Sequence, residues 1–160
     1  MHAAAMSWIG QYGSDDELRI LDVGGRNING TPADFFPNAE YTVVDLHEHS
    51  SVDIVGDILE VDIEPGFDVI VYAEVAEHTV DWAAHLAHMY DLLVDDGLLV
   101  ITAAGPDRAA HSAVDGGPLR DGEHYENIDP ELLADELYAL TDYVQVDVLG
   151  DDVRAIAVKV

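Results

Sequence analysis

The apolar positions follow two rhythms. Short continuous runs at residues 20–23, 40–45, 52–55, 67–73 and 98–103 have the length and β-branched content of strands buried on both faces. Between them the spacing turns helical. Trp82, Leu86, Met89, Tyr90 and Leu93 form one stripe, and Leu133, Leu137 and Leu140 form another. A shorter helix over residues 2–12 carries Ala3, Ala4, Ala5, Met6, Trp8 and Ile9 toward a sheet edge. The last two segments, 143–149 and 153–160, alternate apolar and polar residues around Gly150-Asp151-Asp152, which predicts a tight hairpin. Strands alternating with helices predict an α/β domain with a mostly parallel sheet covered on both faces.

The breaks agree with the runs. Gly13-Ser14-Asp15-Asp16 links the first helix to the first strand, and Pro65-Gly66 and Asp95-Asp96-Gly97 turn the chain into two others. Thr31 caps a short helix with Pro32 at its first position, and Asp129-Pro130-Glu131 starts a longer one. Thr79 or Asp81 caps the Trp82 helix, and its histidines, His85 and His88, are expected on the exposed flank. One stretch has no period. From Gly105 to Asn127 the chain is rich in Gly, Pro and Asp, and an irregular segment of that length inside one domain reads as a functional lid. The expected organisation is a single domain over 1–160, with a helix and linker at 1–17 and the lid at 105–128.

Charge narrows the partners. The chain of 160 residues carries 33 Asp and Glu against 6 Lys and Arg, a formal net charge of −27. Such a surface repels phosphate backbones, so a nucleic-acid partner is disfavoured and a small molecule favoured. There are no cysteines, hence no disulfide, thiolate metal site or cysteine nucleophile. No apolar run reaches the length of a membrane span and no basic-apolar leader opens the chain, so the expected location is the cytoplasm.

The chemistry gathers around RILDVGGRNING, residues 19–30. A buried strand passes through Asp22 into the pair Gly24-Gly25, a sharp turn that leaves backbone open to a ligand. Asp45 ends the second strand 21 residues after Gly24, placed to accept hydrogen bonds from ribose hydroxyls. This is a nucleoside-binding half of a Rossmann-like sheet. A dinucleotide fingerprint needs glycine at its first, third and sixth positions, which here are Gly24, Arg26 and Asn29. Arg26 would crowd a pyrophosphate, so NAD and FAD are disfavoured. S-adenosylmethionine (SAM) has ribose and adenine but no phosphate, and tolerates the looser turn.

The ordered segments LDVGGRNING, YTVVDL, GDILEVD, FDVIVYAEVAEHT and DDGLLVIT resemble a class I SAM-dependent methyltransferase of the small type 11 kind, over residues 18–160. The resemblance implies a Rossmann-like, seven-stranded, mostly parallel sheet ending in an antiparallel hairpin. It implies SAM as cofactor, bound around Asp22, Gly24, Gly25, Arg26, Asp45, Leu46, Asp57, Ile58, Ala73 and Glu74. Asp57 would approach the adenine amino group, with Ile58 against the ring.

Glu74, Glu77 and His78 lie at i, i+3 and i+4 after a central strand and would face one way if that segment were helical. This E-x-x-E-H string resembles methyltransferases of small-RNA 3′ ends and of quinone precursors, where it implies a divalent metal, Mg²⁺ or Mn²⁺, held by Glu74, Glu77 and His78. Related strings without a metal are common across the superfamily and give hydrogen bonding at the strand end. Glu77, His78, His111 and His124 are the candidate catalytic groups. The leading reading is methyl transfer to a small hydroxylated molecule or glycan, most simply at oxygen. The alternatives are an inactive binding protein of the same fold, and a metal-assisted RNA 2′-O-methyltransferase.

Overall fold

A computed structural model describes residues 2–160. In chain order it contains helix α1 (Ala3–Ile9), strands β1 (Arg19–Val23), β2 (Glu40–Asp45), β3 (Ile54–Val55) and β4 (Phe67–Ala73), helix α2 (Trp82–Leu92), strand β5 (Leu93–Ala104), helix α3 (Pro130–Tyr138), and strands β6 (Val144–Leu149) and β7 (Asp152–Val158). Short 3₁₀ turns occupy Gly10–Tyr12, Pro32–Phe35 and Ala76–His78. No described helix is long and apolar enough to cross a membrane.

All seven strands form one sheet, ordered β3-β2-β1-β4-β5-β7-β6. The first five are mutually parallel, while β7 runs antiparallel to both β5 and β6. Strand order reverses between β1 and β4, so the ends of those strands open a crevice at the switch point.

The central strand explains its own sequence. Ile70 and Tyr72 face α2 and α3, packing with Leu86, Met89, Leu133 and Leu137. Val69, Val71 and Ala73 face the other way, against Trp8, Ile9 and Phe36. Burial on both sides turns a period-two pattern into a continuous apolar run. Each large side chain removed from water here contributes about 2 kcal/mol before its ordering entropy.

The caps are mixed. The Thr31 side chain accepts from the Ala33 amide at 3.2 Å, and Asp129 accepts from Glu131 and Leu132 at 2.8 and 3.2 Å. Asp81 precedes α2, but its side chain makes no cap hydrogen bond. His85 corrects a second expectation, since it is buried at 6% exposure rather than lying on the open flank. Asp95-Asp96-Gly97 does turn, but as an irregularity within β5, where the register beside β4 jumps between Phe67 and Val69. Asp96 there adopts a left-handed φ of 63°. The third strand is shorter than expected, because only residues 54 and 55 pair with β2.

Candidate active site

The carboxyl ends of β1 to β4 open into a cavity of about 1430 Å³. Its floor is the turn after β1, with Gly24, Gly25 and Arg26. One wall holds Asp45 and Leu46 after β2 and Asp57 and Ile58 after β3; the other holds Ala73, Glu74 and His78 after β4. The irregular segment from Arg108 to His124 supplies the roof, including His111.

The glycine pair is required by protein packing. A side chain on Gly24, at φ 76°, would meet Val75 Cγ2 at 2.2 Å, and one on Gly25 would meet the Asp22 carboxylate at 2.3 Å. Both methyls would point into protein rather than into the cavity. Asp22 therefore lies beneath the turn and does not line the cavity. It is 1% exposed and accepts a 2.8 Å hydrogen bond from the Tyr41 hydroxyl. Burial, outweighing that hydrogen bond, pushes its carboxyl up to about 7.

Asp45 and Asp57 share one arrangement. Asp45 Oδ1 accepts from the His47 amide at 2.8 Å, and Asp57 Oδ1 accepts from the Leu59 amide at 2.9 Å. Each is a turn in which a carboxylate receives the amide two residues on. In both, Oδ2 has no hydrogen-bond donor among the described residues. Two strand-end carboxylates thus each keep one acceptor oxygen for a ligand.

Glu74, Glu77 and His78 do not form one helical face. Glu74 adopts φ 60°, in the left-handed region, and the chain continues into a 3₁₀ turn. The Glu74 carboxylate turns away from the other two, accepting from Thr102 Oγ1 at 3.0 Å and meeting Arg108 at 3.1 Å. Arg108 also binds Asp152 at 2.5 Å, and Asp152 holds Arg154 at 2.9 Å and His2 at 3.0 Å. The expected Glu74–Glu77–His78 ligand set is therefore split.

Another set comes together in its place. Glu77, His78 and His111 each offer a ligand atom within 4.8 Å of the others. The His78 and His111 rings meet edge to face at 5.0 Å, and Tyr125 packs on both at 5.5 and 5.1 Å. Glu77 is fully buried outside the cavity lining; Oε1 accepts from the Ala104 amide at 3.2 Å, while Oε2 has no partner. Burial and the neighbouring Glu74 charge push its carboxyl up to about 8. Burial and the neighbouring His111 push the His78 imidazole down to about 4. Both shifts disfavour charge, on the Glu77 carboxylate and on the His78 imidazolium. His124 lines the cavity, its Nε2 lying 3.8 Å from Glu126 Oε1 and making no hydrogen bond among the described residues.

The roof is tied down at several points. Asn127 donates to the Arg108 carbonyl at 2.8 Å and also to the Gly105 carbonyl. Ser112 donates to Glu123 at 2.7 Å, and the Glu126 amide to the Glu77 carbonyl at 2.8 Å.

No protein-family model and no curated protein matches the sequence. Solved structures do match in shape. The 1,6-didemethyltoxoflavin-N1-methyltransferase of Burkholderia thailandensis, solved with 1,6-didemethyltoxoflavin and S-adenosylhomocysteine, superposes with a TM-score of 0.71 at 21% identity, over 98% of this chain and 78% of that one. This chain has the class I methyltransferase fold. DhpI in complex with S-adenosylhomocysteine (SAH) gives the same TM-score at 15% identity, over 96% of this chain and 82% of that one. The mitomycin 7-O-methyltransferase MmcR gives 0.59 at 18% identity, over 98% of this chain and about half of that one (54%). Open α/β sheets take ligands beyond the carboxyl ends of their parallel strands, where this cavity lies.

Arg108 stands out in the sequence as a loop cation for a substrate anion or a salt bridge, but its partners, and the burial of His85, are not read from the sequence. Arg108 sits in an aperiodic loop, and no local signal pairs it with Glu74. His85 could have been found: it falls three residues after Trp82 and four before Met89, on the buried stripe itself.

Proposed function

We propose that this protein is a SAM-dependent methyltransferase that methylates a hydroxyl of a small molecule or glycan. The observation that carries the reading is the pair of half-occupied carboxylates, Asp45 and Asp57, at successive strand ends beside the glycine turn. Asp45 Oδ2 takes the ribose hydroxyls, Asp57 Oδ2 takes the adenine amino group, and Ile58 packs on the ring. Arg26, beside the turn, takes the carboxylate of the methionyl tail. Among the described residues its buried Nε has no hydrogen-bond partner, and its one hydrogen bond is a long one, 3.4 Å, from Nη2 to the Ala113 carbonyl.

Room for a second ligand supports an enzyme over a simple binder. Single-ligand pockets run to roughly 1,000 Å³, and this cavity holds about 1430 Å³. The remaining space lies toward His78, His111 and His124. SAM when bound supplies an electrophilic methyl group on a sulfonium. The protein orients the acceptor, excludes water beneath the roof and receives the hydroxyl proton. His78 has a free lone pair at neutral pH but is too weakly basic to keep a proton, so it orients the hydroxyl by hydrogen bonding. His111 and His124 stand beside it as proton acceptors. Glu77, one residue before His78, accepts from the Ala104 amide and so ties that turn to β5. Glu77, His78 and His111 have the donor types to hold a divalent cation, which would grip neighbouring hydroxyls of an acceptor. The upward shift of the buried Glu77 carboxyl opposes the anionic oxygen that Mg²⁺ favours.

The test is transfer of labelled methyl from SAM to a panel of phenols, polyols, glycans and RNA 3′ ends. Label on a hydroxylated small molecule or glycan is expected. Transfer only to RNA, or SAM binding with no transfer to any acceptor, would overturn the reading.

A further inference from the structure

A buried chain of three polar side chains runs from the core to the cavity. The Tyr72 hydroxyl lies 3.0 Å from His85 Nδ1, and His85 Nε2 lies 3.5 Å from Asp57 Oδ1. Tyr72 is fully buried and His85 nearly so, while the Asp57 side chain is 38% exposed where it reaches the cavity.

The chemistry of the first contact fixes the second. A tyrosine hydroxyl so deeply buried stays protonated, because burial raises its pKa. The Thr79 hydroxyl also hydrogen-bonds Tyr72; with Thr79 as donor to the phenol oxygen, the Tyr72 proton goes to Nδ1, which then carries the lone pair. The neutral imidazole then carries its hydrogen on Nε2, directed at Asp57. Histidine is kept neutral here by burial, against the opposing pull of Asp57. One ring nitrogen thus sets the role of the other, as in histidines oriented by a partner behind them.

Asp57 Oδ1 accepts from the Leu59 amide at 2.9 Å and has His85 Nε2 at 3.5 Å, a contact longer than a normal hydrogen bond. Oδ2 is left with none among the described residues. A carboxylate free to rotate would present either oxygen, or neither, to a ligand. Fixed at Oδ1, it presents one acceptor in one direction.

We infer that His85, locked into its Nε2–H tautomer by Tyr72, is a positioning residue that aims Asp57 Oδ2 at the exocyclic amino group of adenine and so sets base specificity. The inference rests on the reading of Asp57 as the adenine contact. An adenine donates from that position, whereas hypoxanthine presents a carbonyl there and would face the carboxylate oxygen without a proton between them.

The test compares binding of SAH and S-inosyl-L-homocysteine to wild type, His85→Phe and His85→Gln, with the imidazole ¹⁵N spectrum of wild type and Tyr72→Phe. Wild type is expected to prefer the adenosyl ligand by about 10–100-fold, the range of one unsatisfied polar contact. His85→Phe should narrow that preference at least fivefold, and His85→Gln, which restores an N–H, should recover much of it. The ¹⁵N spectrum should show His85 as the Nε2–H tautomer alone in wild type and as a mixture in Tyr72→Phe. An unchanged preference in His85→Phe, with equal weakening of both ligands, would reduce His85 to packing and overturn the inference. So would an Nδ1–H tautomer in wild type, a result readable without any ligand and even if His85→Phe fails to fold. Failure of wild type to bind SAH while the tautomer is as expected would sink the cofactor reading and leave the Tyr72–His85 lock standing with no adenine to select, which also overturns the specificity role.

Discussion

Arg108 in the roof stands 3.1 Å from the Glu74 carboxylate at the end of the central strand. That contact joins the irregular segment to the sheet, and Asp152 reinforces it from β7 at 2.5 Å. Removing Arg108 would leave two carboxylates, exposed by only 8% and 3%, without their shared cation. Such orphaned charge costs about 3 kcal/mol. Arg108→Ala should therefore lower the urea midpoint and admit protease into residues 105–128 before global unfolding. An unchanged midpoint would mean that Arg154 and His2 carry Asp152 unaided.

Two buried carboxyls and the partly buried His78 make stability depend on pH in opposed directions. Glu77 rises from 4.5 to about 8 and Asp22 from 3.8 to about 7, so each contributes stability at low pH that is lost as pH rises through those windows. His78 falls from 6.5 to about 4, so its contribution is present above 6.5 and lost as pH falls toward 4. Glu77→Gln keeps the shape and removes the ionisation. Its melting temperature relative to wild type should climb between pH 4.5 and 8 and stay flat above. A difference that is constant across that window would show that Glu77 ionises normally.

Arg26 is the single arginine of five without a carboxylate within 4.0 Å among the described residues, in a chain with 33 acidic side chains. A cation left unpaired in such surroundings, beside a cavity, is suited to a ligand's anion. Arg26→Ala should weaken SAH about tenfold, the value of a charge-assisted hydrogen bond. Methylthioadenosine, which lacks the carboxylate, should bind both proteins alike. Equal weakening of the two would mean that Arg26 only shapes the turn.

The burial that pushes the Glu77 carboxyl up opposes metal use at that turn. Addition of millimolar Mg²⁺ should leave the melting temperature unmoved at pH 7, and chelation should leave methyl transfer unchanged. A Mg²⁺-dependent rise in melting temperature that disappears in Glu77→Gln would reverse this.

What the sequence disclosed followed from periodicity and punctuation. The strands at 67–73 and 98–103, the Thr31 and Asp129 caps and the terminal hairpin are local features, and each residue type states its own backbone preference. Asp45 and Asp57 were legible because a strand end followed by a turn leaves few positions for a carboxylate. Glu74 was not, since its left-handed backbone and its contacts with Thr102 and Arg108 join it to distant chain that no local pattern names. Nor was the gathering of His111 with His78, 33 residues apart, across a loop with no period. The glycine pair shows the subtler case: the residues were readable as necessary, but what fills the space beside them is Val75 and Asp22.

The central claim is that the cavity binds SAM through Asp45. Calorimetric titration of SAH into wild type and Asp45→Ala tests it most directly. One SAH per chain at micromolar affinity, weakened at least tenfold by the substitution, is the predicted result. No binding to wild type, or equal binding to both proteins, would contradict it.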